Sequence, residues 1–218
     1  MKKRPSQRIA QRIENARLLI HGALRQPKVV QELSKLGYPK KEIQKGEQLL
    51  NRVILLQDDK SLKYGLQYSA SAHCKRDQAT AQETYMYHVK SARLAFRHDV
   101  GKQKRLQLDI PRQQTLATWM EQARYFYQEI RQMPGDFAVM GVTAEELAQG
   151  QSMIAAIAES RQHCKGLAGE AQMATQERNA ALKELNAWVR KFTKVARIAL
   201  DEQDQLLEGM GLLVRSKA

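Results

Sequence analysis

Two copies of one tripeptide are the strongest metal-binding candidates in this sequence. They are His73-Cys74-Lys75 and His163-Cys164-Lys165, and two cysteines with two histidines form a ligand set that zinc accepts. However, the copies are 90 residues apart, which differs from the 104-residue spacing of the internal repeat described below. Adjacent helical residues also point about 100° apart, so one tripeptide cannot easily provide two ligands to one ion. We therefore predict no metal site and two free thiols, as in a reducing cytoplasm.

His88 is the next candidate for chemistry, because histidine can act as an acid or a base near neutral pH. It lies on the apolar seam of a predicted helix, so we interpret it as a half-buried histidine with a hydrogen-bond partner. A di-iron bundle would need paired Glu-x-x-His steps on facing helices, and phosphate loops or hydrolase nucleophiles have their own sequence patterns. The sequence contains none of these patterns. We predict a non-enzymatic protein with no catalytic residue, no cofactor and no small-molecule substrate.

The elements that would position these residues come from an internal repeat. A shift of 104 places Leu36–Ile43 on Met140–Leu147 and Gly46 on Gly150. Apolar residues recur in both copies at alternating spacings of about three and four, which predicts helices packed nearly parallel or antiparallel. The sequence therefore predicts an all-α, elongated helical bundle built from two tandem, pseudo-symmetric copies of about 105 residues. We assign residues 1–110 to the first repeat and residues 111–218 to the second.

Each repeat is predicted to contain the same succession of helices. In the first repeat these cover about 6–25, a short stretch after Pro27, about 39–58, about 66–97 and about 99–107. The matching helices of the second repeat include about 113–132, a short one after Pro134, about 170–200 and about 203–213. Gly37 and Gly141 are typical helix ends. Thr143 and Glu146 have the spacing of a capping box.

Charged and small residues that recur between the repeats are interpreted as structural. The recurring charged residues predict interhelical ion pairs beside alanines, and an anion site is the alternative. Gly46 and Gly150 lie inside predicted helices, where each costs about 1 kcal/mol relative to alanine. Their recurrence predicts close helix contact or a hinge. The recurring charged residues are Arg17, Arg124, Arg93, Arg197, Glu42 and Glu146.

The excess positive charge is confined to the first repeat. Residues 1–110 contain 23 Lys and Arg against 10 Asp and Glu, whereas residues 111–218 contain 13 of each. The turn at Gly37, followed by a basic helix, superficially resembles a helix-turn-helix, and such a face binds phosphates. The matching stretch, Thr143–Glu146, is acidic, which favours a bundle corner instead. The nucleic-acid alternative would use Lys35, Lys40, Lys41, Lys45, Lys102, Lys104 and Arg105.

The leading functional hypothesis is a structural or scaffolding protein that associates with itself. Two similar but unequal repeats suit head-to-tail contacts between bundle surfaces, which produce a filament, a tube or a ring. The expected partner is a further copy of the chain, with nucleic acid or another acidic partner at residues 1–110 as the alternative. No stretch approaches the roughly 18 apolar residues of a membrane span. We therefore expect a cytoplasmic protein without a membrane partner.

Overall fold

The computed structural model describes residues 5–133 and 141–213, with side chains from residue 8 onwards in the first helix. Within these ranges every regular element is an α-helix, which confirms the predicted all-α class. None of the described helices is long and apolar enough to cross a membrane. The short helix expected after Pro134 lies outside the described residues. The helices are α1 Pro5–Leu24, α2 Pro27–Lys35, α3 Lys40–Ala95, α4 Val100–Arg105, α5 Leu116–Ile130, α6 Ala144–Ala199 and α7 Asp204–Gly209.

Two long helices dominate the chain, and each is 56 residues long. The sequence predicted separate helices at about 39–58 and 66–97, and this prediction is wrong because α3 runs through the expected break. Gly65 lies at that break and Gly169 at the matching position of α6, and no atom approaches either closely. A helical glycine costs only about 1 kcal/mol. That cost is too small to interrupt a helix that packs on both sides of it.

Helix boundaries recur along the chain at a constant spacing. Helix α6 begins at 144 and ends at 199, against 40 and 95 for α3, and α7 begins at 204 against 100 for α4. Left-handed backbone occurs at Gly37 and Gly141, with φ of 81° and 71°, and at Gln107 and Gly211, with φ of 53° and 75°. Both pairs are again 104 residues apart.

The predicted helix ends at Gly37 and Thr143 are both present. After α2, the Tyr38 amide donates to the Leu33 carbonyl at 3.0 Å, which closes a Schellman turn around Gly37. Before α6, the Thr143 hydroxyl accepts from the Glu146 amide at 3.1 Å, and Glu146 Oε2 accepts from the Thr143 amide at 2.8 Å. This reciprocal pair is the predicted capping box.

The chain folds into two compact units whose boundaries differ from those of the predicted repeats. The first unit contains residues 1–64 and 170–218, and the second contains residues 65–169. Each unit therefore combines the first half of one predicted repeat with the second half of the other. Helices α3 and α6 each contribute one part to each unit.

In the first unit, α3 and α6 run antiparallel. Arg52 Nη1 lies 3.2 Å from Glu184 Oε2, and Tyr64 Oη lies 3.4 Å from Thr175 Oγ1 further along α3. Residue numbers along α6 therefore decrease as those of their contacts along α3 increase, which is the pattern of an antiparallel pair. Around this pair, α1, α2 and α7 complete an apolar core. Its largest fully buried side chains are Ile20, Leu33, Ile43, Leu50 and Phe192.

The second unit has a core rich in aromatic rings. Tyr85 of α3 meets Phe126 and Tyr127 of α5 edge-on, with centroid distances of 5.5 Å and 6.0 Å. Trp119 meets the same tyrosine at 5.9 Å. Edge-to-face pairs of this kind add to the stabilisation from burial. Helix α6 contributes the buried residues Leu147, Ile154 and Ile157.

Candidate functional site

The first unit contains a groove of about 740 Å³ lined by α1, α3 and one residue of α6. We call it the first groove. Its volume lies within the range typical of small-molecule sites. Its apolar lining comprises Ile9, Ala10, Ile13 and Ile54, and its polar lining comprises Glu14, Arg17, Gln57, Asp58, Lys60 and Arg178.

Arg178 is the unusual residue of the first groove. It is only 6% exposed, and arginine is almost never buried to this degree without a charged partner. Its Nη1 donates to Gln57 Oε1 at 2.9 Å, which is an uncharged acceptor. Its Nε is buried and has no hydrogen-bond partner among the described residues. Arg178 therefore forms no ion pair with a carboxylate among the described residues, although Glu14 and Asp58 line the same groove.

The other two cations of the first groove already have partners. Arg17 Nη1 donates to Glu14 Oε2 at 2.6 Å, one turn away on the same helix. The Lys60 ammonium lies 4.8 Å from the centroid of the Tyr64 ring, in a cation–π contact. Arg178 is thus the cation of this groove with the greatest unmet capacity to bind an anion.

The second unit contains a groove of about 700 Å³ lined by α5 and α6, which we call the second groove. Most of its lining positions match those of the first groove when α1 is shifted by 107 residues onto α5 and α3 is shifted by 104 residues onto α6. Its cations, besides Arg124, are the half-buried Arg161 and the exposed Lys165. The matching pairs are Ala10 and Ala117, Ile13 and Met120, Glu14 and Glu121, Arg17 and Arg124, Ile54 and Ala158, Gln57 and Arg161, and Asp58 and Gln162.

His88 lies in the core of the second unit and is 2% exposed, so it is buried more completely than the half-buried position that the sequence predicted. A hydrogen bond of 3.0 Å joins its Nδ1 to Tyr127 Oη. Burial lowers the pKa of His88, although the negative charge of Glu146 opposes this effect. Burial, followed by the neighbouring Tyr85, raises the pKa of Tyr127. Both groups are therefore neutral near pH 7. Their hydrogen bond stabilises the core, and burial keeps both groups away from solvent.

Arg112 closes one side of this aromatic cluster. Its Nη1 donates to Tyr85 Oη at 2.7 Å, and its Nη2 donates to the Gln107 carbonyl. Burial raises the pKa of Tyr85, and the opposing effects of Arg112 are smaller. Arg112 was missed from the sequence because it follows Pro111 in the predicted joint between the repeats. Its role is to tie this joint to α3.

Gly46 and Gly150 both lie where an aromatic ring meets a long helix. A Cβ added at Gly46 would collide with the Trp188 indole, and one added at Gly150 would collide with the Tyr127 phenol. Both glycines are buried. These contacts agree with the close approach proposed from the sequence.

The recurring arginines and glutamates bond mainly to groups close in sequence. Arg93 Nε donates to the Leu108 carbonyl at 3.0 Å, and Arg197 Nη2 donates to the Leu213 carbonyl at 3.2 Å. Each arginine thus binds the backbone beyond the following short helix, rather than a carboxylate on another helix. The remaining residues of this set are Arg17 paired with Glu14, Glu42 paired with Lys45, Glu146 in the capping box and the exposed Arg124.

The residues of the nucleic-acid alternative fall into both units. Lys35, Lys40, Lys41 and Lys45 belong to the first unit, and residues 102–105 belong to the second. Several of these cations already have acidic partners. The pairs are Lys35 with Glu32 at 2.8 Å, Lys45 with Glu42 at 2.6 Å, Lys102 with Asp99 at 3.5 Å and Arg105 with Glu129 at 2.6 Å; Lys104 is exposed.

The two cysteines lie beside each other in the second unit, which the sequence spacing did not predict. Partial burial, and then the neighbouring Cys74 thiol, raise the pKa of Cys164. Both cysteines are free. Cys74 is two helical turns before Ala81 and Cys164 is two turns after Ile157, and these two residues share the buried core. Among the described residues, no cluster of three or more His, Cys, Asp or Glu could hold a metal ion.

Similarity to known proteins assigns no role to these residues. No protein-family model, curated protein or solved structure matches this chain.

Proposed function

We propose that this chain is a non-enzymatic structural or scaffolding protein that associates with further copies of itself through helical surfaces. The observation that carries this proposal is an exposed leucine pair on α3. Leu55 and Leu62 are 69% and 63% exposed, and their seven-residue spacing places them on one helix face. Exposed leucines repeated at this spacing are typical of a seam that packs against another helix.

We also infer that the chain is a duplication of one helical unit. The 104-residue spacing of the ends of α3 and α6, of α4 and α7, and of the left-handed residues supports this inference. Buried positions support it too, since several pairs match at the same shift. These pairs are Ile43 and Leu147, Leu50 and Ile154, Val53 and Ile157, Ala92 and Ala196, Phe96 and Leu200, and Leu106 and Met210.

The chain segments that make up each compact unit connect the duplication with self-association. Each unit needs the first half of one repeat and the second half of the other. A single repeat could therefore complete neither unit, whereas two repeats can complete both. The same exchange of halves can occur between two chains, and such domain swapping is a known route to oligomers. It adds a second physical basis for association beyond the leucine pair.

Light scattering coupled to size exclusion tests the proposal on the full chain. The native protein should have a mass that is a multiple of 24.9 kDa and that increases with concentration. The double variant Leu55→Lys/Leu62→Lys should shift this distribution towards 24.9 kDa. Leu94→Lys is the matched control, since Leu94 is also on α3 and is 56% exposed. A native protein that stays at one chain's mass at every concentration would refute self-association.

Binding of nucleic acid by the basic first repeat is the second candidate. It is favoured by Lys40 and Lys41, which are exposed and form no ion pair with an acid among the described residues. Titration of a DNA duplex at two salt concentrations should show affinity that falls with salt. Charge reversal at Lys40 and Lys41 should weaken binding and flatten the salt dependence. Absence of binding at low salt would exclude this candidate.

A further inference from the structure

The buried guanidinium of Arg178 lacks the partner that such a group normally has. Burying an ionised side chain is costly unless it is paired and fully hydrogen-bonded. No Asp or Glu of the described residues forms an ion pair with Arg178, whose Nε has no acceptor. Residues 1–7, which precede the described side chains of α1, contain neither Asp nor Glu. An external anion is therefore the chemical group that this position lacks.

The apolar lining of the first groove limits what that anion can be. Ile13 is a member of the unit's core, and Ile9 and Ile54 are partly buried against the same core. These side chains leave apolar surface in the same groove as the guanidinium. Apolar surface favours a hydrocarbon group, and a guanidinium binds a carboxylate through two parallel hydrogen bonds. The complementary ligand has both parts.

We propose that the first groove binds a small amphipathic carboxylate, with its carboxylate on Arg178 and its hydrocarbon chain on Ile9, Ile13 and Ile54. The 740 Å³ of the groove accommodates a medium-length chain. Gln57 accepts from Nη1 and holds the guanidinium in place, and the carboxylate meets the part of Arg178 that lines the groove. This site extends the sequence analysis, which predicted no small-molecule partner, and it does not depend on self-association.

The second groove provides an internal control for this proposal. It has matching walls, but the position that corresponds to Arg178 is Cys74. Its nearest analogue of the buried cation is Arg161, which is only half-buried. Water competes for an exposed cation, so a carboxylate gains less from it than from a buried one. The first groove should therefore bind the carboxylate more tightly.

Calorimetric titration of the full chain with three probes measures how much the carboxylate and the hydrocarbon chain each contribute to binding. Octanoate has the charge and the chain, 1-octanol has the chain alone, and acetate has the charge alone. We expect saturable binding of octanoate at one site, and binding at least about tenfold weaker for each of the other two probes. If 1-octanol binds as tightly as octanoate, or octanoate does not bind, the proposal is wrong.

Variants then locate the site. Arg178→Met keeps the aliphatic part of the side chain but removes the guanidinium, and it should weaken octanoate binding by at least about tenfold. Arg161→Met removes a cation from the second groove and should leave the affinity for octanoate unchanged. Equal weakening by both variants, or by neither, would contradict the assignment to the first groove.

Methyl resonances locate the site without relying on a variant that folds. In protein labelled at isoleucine methyl groups, octanoate should shift the resonances of Ile9, Ile13 and Ile54. The methyl group of Ile154, which lines the second groove, serves as the reference and should shift least. A response dominated by Ile154 would overturn the proposal even if Arg178→Met fails to fold.

Discussion

The two compact units make one matching contact by different chemistry. In the first unit, Gly22 of α1 lies against the backbone of α7, and a Cβ at Gly22 would come within 2.7 Å of the Gly209 carbonyl oxygen. The matching positions of the second unit are Glu129 and Arg105, whose side chains form a 2.6 Å ion pair. Glycines let backbones touch, whereas long side chains bridge a wider gap. Matching positions therefore make contact in both units, through the backbone in the first and through charged side chains in the second.

The long helices offer a second comparison, in which a glycine occupies the matching position in both units but meets a different aromatic ring. Gly46 accommodates Trp188 of α6 in the first unit, whereas Gly150 accommodates Tyr127 of α5 in the second. The aromatic ring therefore comes from a different helix in each case. A glycine at this position is required by a ring packed against the helix, irrespective of which helix provides the ring.

We expect the largest loss of stability from Gly22→Ala, which tests the contact between α1 and α7. The new methyl group would meet Gly209 and Met210 backbone atoms, which cannot rotate away as a side chain can. We expect a loss of about 3 kcal/mol in the free energy of unfolding, measured by urea denaturation. Glu129→Ala in the second unit should cost about 1 kcal/mol or less, because the Arg105 side chain is 48% exposed and water screens the ion pair. Equal losses would mean that the two contacts do not differ as described.

A smaller effect is expected from Gly46→Ala and Gly150→Ala. Each methyl group would collide with a side-chain ring rather than with backbone, so we expect each variant to lose about 1–3 kcal/mol of stability. Gly166→Ala is the matched control, because Gly166 is in α6 and nothing lies within 4 Å of its added Cβ. That variant should instead gain up to about 1 kcal/mol from helix propensity. Stabilisation by Gly46→Ala would show that Trp188 does not pack there.

The smallest effect concerns His88, whose matching residue in the first unit is the buried Phe192. Burial lowers the pKa of His88 in the folded protein, so the unfolded chain binds the proton more readily. Stability should therefore be greatest above the ordinary histidine pKa of about 6.5 and should fall as the pH decreases below it. The variant His88→Phe/Tyr127→Phe, which also removes the hydroxyl partner, should weaken this dependence. An unchanged pH profile of unfolding would mean that other groups cause it.

Much of the fold could be predicted because the information is local. Apolar spacing indicated the helices, Gly37 and Thr143 indicated helix ends, and the recurrence of Gly46 and Gly150 indicated close contacts. Each of these signals depends on the conformation of a few neighbouring residues. None of them depends on which distant segment packs nearby.

The parts that could not be predicted depend on which segments pair. Periodicity shows which face of a helix is buried but not what covers it, so the exchange of halves between the repeats was not foreseen. The continuity of α3 through Gly65 was missed because glycine is a weak signal for a helix end. One signal for the first groove was available. Arg178 occupies a core position of the stripe formed by Ala174, Ala181 and Leu185.

Oxidation of the native thiols tests the central claim, that the second half of the first repeat packs against the first half of the second repeat within one chain. Cys74 and Cys164 belong to these two halves and lie together in the second unit. Oxidised glutathione should accept two electrons from the thiol pair and leave as two reduced molecules, after a mixed disulfide forms. We expect a disulfide within one chain, seen as the loss of two hydrogen masses, and faster formation at higher pH because the pKa of Cys164 is raised. Two thiols that are modified separately and never join would contradict the pairing of these halves. Disulfides formed only between chains would contradict pairing within one chain and would instead indicate domain swapping.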